Sequence, residues 1–307
     1  MKRKKFIQTT AVAGLGTMLM PKIALSEINK TKNISIGFIG TGLRGQWLLD
    51  LAAKRSDVNI PAICDIDKQM IGYALNVLKN NGKDEPAIYQ DGDEDFLNLV
   101  KRDDLDGVII ATPWEWHAEM SIAAMKAGKH VGTEVPAALT IKDCWSLVNI
   151  SEKTNKFCML MENVCYRRDI MAVLNMVRKG LFGELLHLQG GYQHDLREVK
   201  FNDGKQPYGG GVEFGKKGYS ESKWRTMHSV KRNGDLYPTH GAGPVSTMLN
   251  INRGNRFKHI TSTSTQSRGL HDYIVKKGGE FHPNAKVNFK LGDIVTSVIK
   301  CANGQTV

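Results

Sequence analysis

Gly40-Thr41-Gly42-Leu43-Arg44-Gly45 constrains this chain more than any other stretch. A GxGxxG match says little by itself. Here it follows the apolar run Asn33 to Gly40 (NISIGFIG) and opens a helical pattern from Leu43 to Arg55. In that strand–turn–helix context the glycines permit a tight turn and close backbone approach to a pyrophosphate. The alternation continues. Strands are expected over Val58 to Cys64, Asp106 to Ala111, Lys129 to Thr133 and Phe157 to Met161. Helices are expected from Asp67 to about Asn80, from about Trp116 to Ala127 and from Ile141 to Lys153. Such alternation implies a parallel sheet covered on both faces. Residues 33–165 are therefore expected to form an α/β, doubly wound dinucleotide-binding domain of the Rossmann type. Gly40, Gly42, Leu43, Arg44 and Gly45 would hold the cofactor's phosphates. Asp65 ends the second strand, close to the spacing of about 20 residues for an acid at the ribose hydroxyls. An acid there repels a 2′-phosphate and favours NAD over NADP.

After about residue 165 the rhythm changes. One more helix is expected from Arg168 to Lys179, then a strand from Leu185 to Tyr192. Residues 195 to 235, with Gly209-Gly210-Gly211, read as a long polar loop, and loops of that length are usually functional. Val287 to Lys290 and Ile294 to Cys301 read as strands of an open, mostly antiparallel sheet. Residues 166–307 thus form a second, α+β domain. Asn303-Gly304 is a hairpin signal a few residues before the end, so the sheet is expected to be incomplete and the chain truncated relative to its natural fold.

The first 26 residues stand apart. MKRKKF is basic, IQTTAVAGLGTMLM is apolar but too short to span a bilayer, and Ala24-Leu25-Ser26 offers small residues for a peptidase. Residues 1–26 are expected to be an export signal, Sec or twin-arginine in type (Arg3-Lys4-Lys5-Phe6-Ile7 lacks the second arginine), which would place the mature protein in the periplasm. Loss of Lys2, Arg3, Lys4, Lys5 and Lys22 takes the formal charge from +11 to +6. The remaining cations are scattered and not interleaved with aromatics, which argues against nucleic acid as a partner. No other segment predicts a membrane span. The five cysteines lack metal-site or disulfide-framework spacing and are expected to be unpaired, with Cys64 and Cys158 buried.

Three strand ends carry the chemistry on the edge where ligands sit in such sheets. Trp114, Glu115, Trp116 and His117 follow the third of the strands above and are expected to wall the nicotinamide half of the cofactor; a helix start with inward-packed aromatics is the plainer alternative. The carboxylates of Glu134-Val135-Pro136 and Glu162-Asn163 face the ligand or cap helices. Tyr192 and His194 share a face if they lie on a strand. Asp235-Leu236-Tyr237-Pro238-Thr239-His240-Gly241 places another Tyr/His pair beside a helix start, and Arg225 precedes it. Tyrosine and histidine are suitable proton-transfer groups. Trp145, Met159 and Met161 read as core.

Together GTGLRG, ICD, ATPWEWH, GTEVP, MEN and LYPTHG resemble the oxidoreductase family named for glucose–fructose oxidoreductase and inositol dehydrogenase. More narrowly they resemble glycoside hydrolase family 109, the NAD-dependent α-N-acetylgalactosaminidases. The resemblance runs from about residue 33 to the end, and WEWH with EVP and YPTH is its specific part. It implies that NAD stays bound and is regenerated in each turnover. A sugar C3 is oxidised, a base removes the acidified C2 proton, the C1 substituent is eliminated, water adds and C3 is reduced. It implies cofactor contacts at Leu43, Arg44, Asp65, Trp114, Glu115, Trp116, His117, Glu134, Val135 and Asn163. It implies substrate contacts at Tyr192, Arg225, Tyr237, Pro238, Thr239 and His240. His240 would take the O3 proton, with Tyr192, His194 or Tyr237 serving C2. Dehydrogenases of the wider family usually read Glu-Lys-Pro where this chain has Glu134-Val135-Pro136, so the lysine that handles the hydroxyl proton is absent. A further substrate-contact tyrosine of the family is absent here. The resemblance also implies a glycan partner with terminal N-acetylgalactosamine and pairing into a homodimer through the open sheet. A sugar dehydrogenase with net NAD reduction, or a noncatalytic NAD or sugar-binding protein, remains open at the level of sequence.

Overall fold

The computed structural model describes residues 33–307. The expected export signal, residues 1–26, lies outside the described residues.

The alternating first part folds as its pattern dictates. Strands β1 (Ile34–Ile39), β2 (Val58–Cys64), β3 (Ala87–Tyr89), β4 (Gly107–Ile110), β5 (His130–Thr133) and β6 (Cys158–Leu160) form one parallel sheet in the order β3-β2-β1-β4-β5-β6. Helices α1 (Leu43–Ala53) and α2 (Lys68–Asn80) cover one face through Phe38, Leu49, Ile63, Ile71 and Leu78. Helices α3 (Phe96–Val100), α4 (Trp114–Lys126) and α5 (Ile141–Thr154) cover the other through Phe96, Leu99, Ile110, Met125 and Leu147. Both faces are thus covered over the central strands, as a parallel sheet requires. Asp67 starts α2 by accepting from Gln69 N at 2.9 Å and Met70 N at 3.4 Å. The strand order turns back between β1 and β4, which opens a crevice at the carboxyl ends of these strands. Elements β3 and α3 are additions to the sequence reading; at three and five residues they are too short to show a period.

The second part contains α6 (Arg168–Arg178), α7 (Arg197–Lys200), α8 (Arg225–Lys231), α9 (Thr239–Met248), β7 (Phe257–Ser264), α10 (Gly269–Gly278) and β8 (Val295–Cys301). Strands β7 and β8 pair antiparallel. Phe201, Val212, Ile274 and Phe289 form a separate small core. The Asn303-Gly304 signal is borne out: Gly304 takes φ +98°, and Val307 exchanges backbone hydrogen bonds with Ile299 at 2.8 and 2.9 Å.

Several expectations are corrected. Leu185 to Tyr192 is not a strand but extended chain with one bridge, His187 to Thr306, because Thr306 is the single residue it pairs with. Val287 to Lys290 joins no sheet; Lys290 N and Leu291 N both donate to Ser229 O, which ties this segment to α8. The stretch 195–235 is not structureless, since α7 and α8 lie in it. Buried Asn202 organises it: its Oδ1 accepts from Gly204 N and Tyr219 N, and its Nδ2 donates to Tyr219 O. Trp145 and Met159 are 64% and 49% exposed rather than core, because among the described residues nothing covers their side of α5 and β6. All five cysteines are free; Cys64 is buried, Cys158 half-buried and Cys144 exposed. Among the described residues no helix is long and apolar enough to cross a membrane, and no group of three His, Cys, Asp or Glu could hold a metal ion.

Candidate active site

Gly40 sits at φ +87°, and a Cβ there would lie 2.7 Å from the Ala111 carbonyl. A Cβ on Gly45 would lie 2.0 Å from Gly40 O. The turn therefore excludes any larger residue at either position. Gly42 caps α1 without a side-chain bond, so the first N–H groups of that helix remain for a ligand. They open onto a cavity of about 270 Å³ between the two parts of the chain. Gly40, Gly42, Leu43, Arg44, Asp65, Trp114, Trp116, His117, Glu134 and Val135 line it from the sheet side; Glu221, Trp224, Arg225 and Tyr237 line it from the other. Asp65 accepts from Thr41 N at 2.6 Å, from Thr41 Oγ1 at 3.1 Å and from Asp67 N at 2.9 Å. It thus braces the glycine turn and still has lone pairs toward the cavity. A turn closed to side chains, an open helix N-terminus and an acid at the end of β2 fit an NAD molecule.

The strand ends supply the rest of that wall. Buried Glu134 accepts from Arg44 Nε at 2.5 Å and from Val135 N at 3.2 Å, so its carboxylate ties the end of β5 to α1. Val135 is buried against the cavity and begins a cis peptide to Pro136. His117 is buried, with Nδ1 2.7 Å from Pro136 O and Nε2 2.8 Å from Thr112 O. Burial pushes its pKa down, against the pull of the two carbonyls. His117 is thus a clamp between the β4 and β5 loops. Glu115 is exposed and lies outside the cavity lining.

Trp114 joins the two parts. Its ring stacks on His228 at 4.7 Å and on Tyr237 at 5.7 Å, and meets Trp224 edge-on at 5.4 Å. The Arg225 guanidinium lies 5.3 Å from the Trp114 ring and 5.1 Å from the Tyr237 ring. Arg225 Nη1 also pairs with Glu221 Oε2 at 2.6 Å. His228 Nε2 lies 3.2 Å from Glu115 Oε1, off the line of a good hydrogen bond.

The expected proton-transfer residues come together around Tyr237. Tyr192 lies 5.1 Å from Tyr237 and 5.1 Å from His240, and Tyr237 lies 4.7 Å from His240. Tyr192 Oη is 2.8 Å from His194 Nδ1, so these two side chains meet although no strand holds them. Glycines permit the approach: a Cβ on Gly190 would lie 2.3 Å from Gly241 O, and one on Gly241 2.8 Å from Gly191 N. Burial raises the pKa of Tyr237 strongly. Burial also raises that of Tyr192, opposed by the Arg225 charge. Thr239 opens α9 with its buried hydroxyl unpartnered, and Pro238 is exposed.

Asn163 is not brought to the cavity. It is exposed at the start of a 3-10 turn, and its neighbour Glu162 takes the inward position. Glu162 Oε1 lies 2.6 Å from His240 Nδ1 and 3.0 Å from Val164 N, while Oε2 is buried without a partner. A carboxylate only accepts, so His240 carries its proton on Nδ1 and keeps Nε2 free to receive one. Sequence reasoning weighed Glu162 only as a ligand contact or cap. It missed His228, Trp224 and Glu221, whose signal was helical spacing: Glu221 stands four residues before Arg225, His228 three after it, and Trp224 four before His228.

Comparison with known proteins follows the same division. Residues 34–162 match the oxidoreductase family, NAD-binding Rossmann fold, and residues 166–307 match glycosyl hydrolase 109, C-terminal domain. A glycosyl hydrolase family 109 protein of Stenotrophomonas maltophilia (strain K279a) is 52% identical over 312 residues, covering 100% of this chain and 68% of that protein. An alpha-N-acetylgalactosaminidase of Tannerella forsythia is 49% identical over 326 residues, covering 99% of this chain and 70% of that protein. Among solved structures, myo-inositol dehydrogenase from Lactobacillus casei in complex with NAD(H) and myo-inositol superposes with TM-score 0.60 at 15% identity, over 89% of this chain and 65% of that one. Myo-inositol 2-dehydrogenase from Lactobacillus plantarum superposes with TM-score 0.63 at 15% identity, over 90% and 68%. At such identities the likeness to solved structures is one of fold.

Proposed function

Since the chain belongs to glycosyl hydrolase family 109 and carries an NAD-binding Rossmann domain, we propose that it removes terminal α-linked N-acetylgalactosamine with retention, through an oxidation, elimination, addition and reduction cycle. The observation that carries this reading is the His240–Glu162 pair, set among Tyr192, His194 and Tyr237 beside the NAD cavity. Bound NAD would accept a hydride from the sugar and return it. Gly40, Gly42, Leu43, Arg44, Asp65 and Trp114 would hold it.

The chain's own residues handle protons and placement. His240 Nε2 takes the O3 proton, with Glu162 keeping the imidazole in the required tautomer. This replaces the lysine absent at position 135. The Tyr192–His194 pair removes the C2 proton: the raised phenol pKa makes His194 the base, reached directly or through Tyr192. Tyr237 stays a phenol and donates a hydrogen bond. Arg225, held by Glu221, orients the sugar. No oxocarbenium ion forms in this cycle, so no pair of carboxylates across the scissile bond is needed.

The test is p-nitrophenol release from p-nitrophenyl α-N-acetylgalactosaminide, with absorbance at 340 nm followed in the same cuvette. Phenol release without accumulating NADH is expected. NADH accumulating in step with turnover would make the chain a dehydrogenase, and neither signal would make it a binder. We also propose that residues 1–26 direct export to the periplasm, supported by their basic and apolar halves. A mature N-terminus still beginning at Met1 would refute this.

A further inference from the structure

His194 belongs to two places. Its Nδ1 meets Tyr192 in the proton-transfer cluster, and its side chain also lines a second cavity of about 320 Å³. The remaining wall comes from α7, the start of α10 and the loop before β8. Leu196, Leu270 and Leu291 give it an apolar lining, and Asp195, Arg197, Lys200 and Asp293 bring charge.

Most of that charge is already paired. Arg197 holds Asp195 by two bonds, Nε to Oδ1 at 2.8 Å and Nη2 to Oδ2 at 2.5 Å. Asp293 accepts from Arg268 N at 3.0 Å and from Gly269 N at 3.0 and 3.1 Å, and so caps α10. The next cation, Arg225, is paired with Glu221. Lys200 differs. It is half-buried, and among the described residues its ammonium has no hydrogen bond or ion pair. Burial, with Arg225 adding to it and Asp293 opposing, brings its pKa down to about 8. A desolvated ammonium without a counter-ion is costly unless something supplies one.

We propose that this second cavity is a subsite for an anionic substituent on the leaving-group side of the glycoside, with Lys200 as its counter-ion. The inference rests on the glycosidase reading above. The leaving group departs beside the Tyr192–His194 pair, and the cavity behind His194 receives its distal part. The apolar leucine wall takes a sugar or aryl face, and Lys200 takes the oxyanion. The substrate class is then acidic glycans, carboxylated or sulfated next to the terminal N-acetylgalactosamine.

The test uses the full chain with NAD and three aryl α-N-acetylgalactosaminides: 4-carboxyphenyl, 4-sulfophenyl and the neutral 4-carbamoylphenyl. In Lys200→Met the acid-to-amide ratio of kcat/KM is expected to fall about tenfold, through KM, as for one lost charge-assisted contact. Lys200→Arg is expected to keep it. Equal ratios in all three proteins overturn the proposal. A fall for one acid only identifies the oxyanion. Should Lys200→Met fail to fold, the wild type decides: the ratio falls as pH rises through about 8, where free Lys200 loses its proton, and stays level in Lys200→Arg. A wild-type ratio that does not change with pH overturns the proposal. If the amide is not cleaved at all, the glycosidase reading fails. The subsite is then judged by calorimetric binding of the 4-carboxyphenyl glycoside: weaker binding to Lys200→Met supports it, and equal binding overturns it.

Discussion

His240 and Glu162 show how one contact assigns a role. The 2.6 Å bond fixes which imidazole nitrogen is free, and in the proposed mechanism that nitrogen serves as the base. Replacing His240 by Ala is expected to lower turnover by about 10²–10⁴-fold, the usual worth of a positioned proton-transfer group. NAD affinity should hold, since His240 lies outside the NAD cavity lining. Near-normal turnover with intact NAD binding would remove His240 from the mechanism. Glu162→Gln presents an amide that can donate to Nδ1 and so favours the wrong tautomer. Its loss should fall in the same range, and the double variant should be no worse than the worse single one, because the two act as a unit. Additive losses would separate them. At this scale the sequence was partly legible. Tyr192, His194, Tyr237 and His240 were marked by residue type and spacing, and they do converge. The resemblance pointed to Asn163, whereas the structure turns Glu162 inward and leaves Asn163 exposed; adjacent residues at a strand end point oppositely, and only the fold selects one.

Helices and strands tell a similar story one level up. The alternation of β1, β2, β4, β5 and β6 with helices was readable from apolar runs and helical spacing, while β3 and α3, at three and five residues, were too short to show a period. The strand expected at 185–192 failed because its partner is a single residue, Thr306, and no local pattern reports that. His117 gives a prediction at this level. Its folded pKa lies below the ordinary value of about 6.5, so the unfolded chain binds the proton more readily. Its contribution to stability is therefore complete above about pH 6.5 and declines as pH falls from there toward the depressed folded value. Melting temperature should drop in that window, with a shallower slope in His117→Gln. The same slope in both proteins would show that this imidazole is not the group responsible. Asn202→Ala removes the partner of half-buried backbone groups of Gly204 and Tyr219, each worth about 1–3 kcal/mol when left unpaired. Denaturant unfolding should therefore show a loss on the order of 3 kcal/mol, and a loss below about 0.5 kcal/mol, the surface-substitution range, would contradict the keystone role.

Seen whole, the molecule is two parts joined over one aromatic stack. Trp114, from the sheet side, touches Trp224, His228 and Tyr237 of the other part. Trp114→Ala should cost about 3–5 kcal/mol, as for other buried aromatics. It should also weaken NAD and raise the substrate KM together, unlike His240→Ala. Effects confined to one ligand would mean the stack does not couple them. The α/β-then-α+β order was legible from rhythm alone. The stack was not, because His228 and Trp224 lie in a stretch whose polar, glycine-rich composition hides its helices. The central claim is that the C2 proton leaves during glycoside cleavage. Turnover in D₂O followed by NMR of the released N-acetylgalactosamine tests it most directly. Deuterium at C2 of the product is what oxidation and elimination predict; a product that keeps its original C2 hydrogen, with rapid cleavage, would contradict the mechanism.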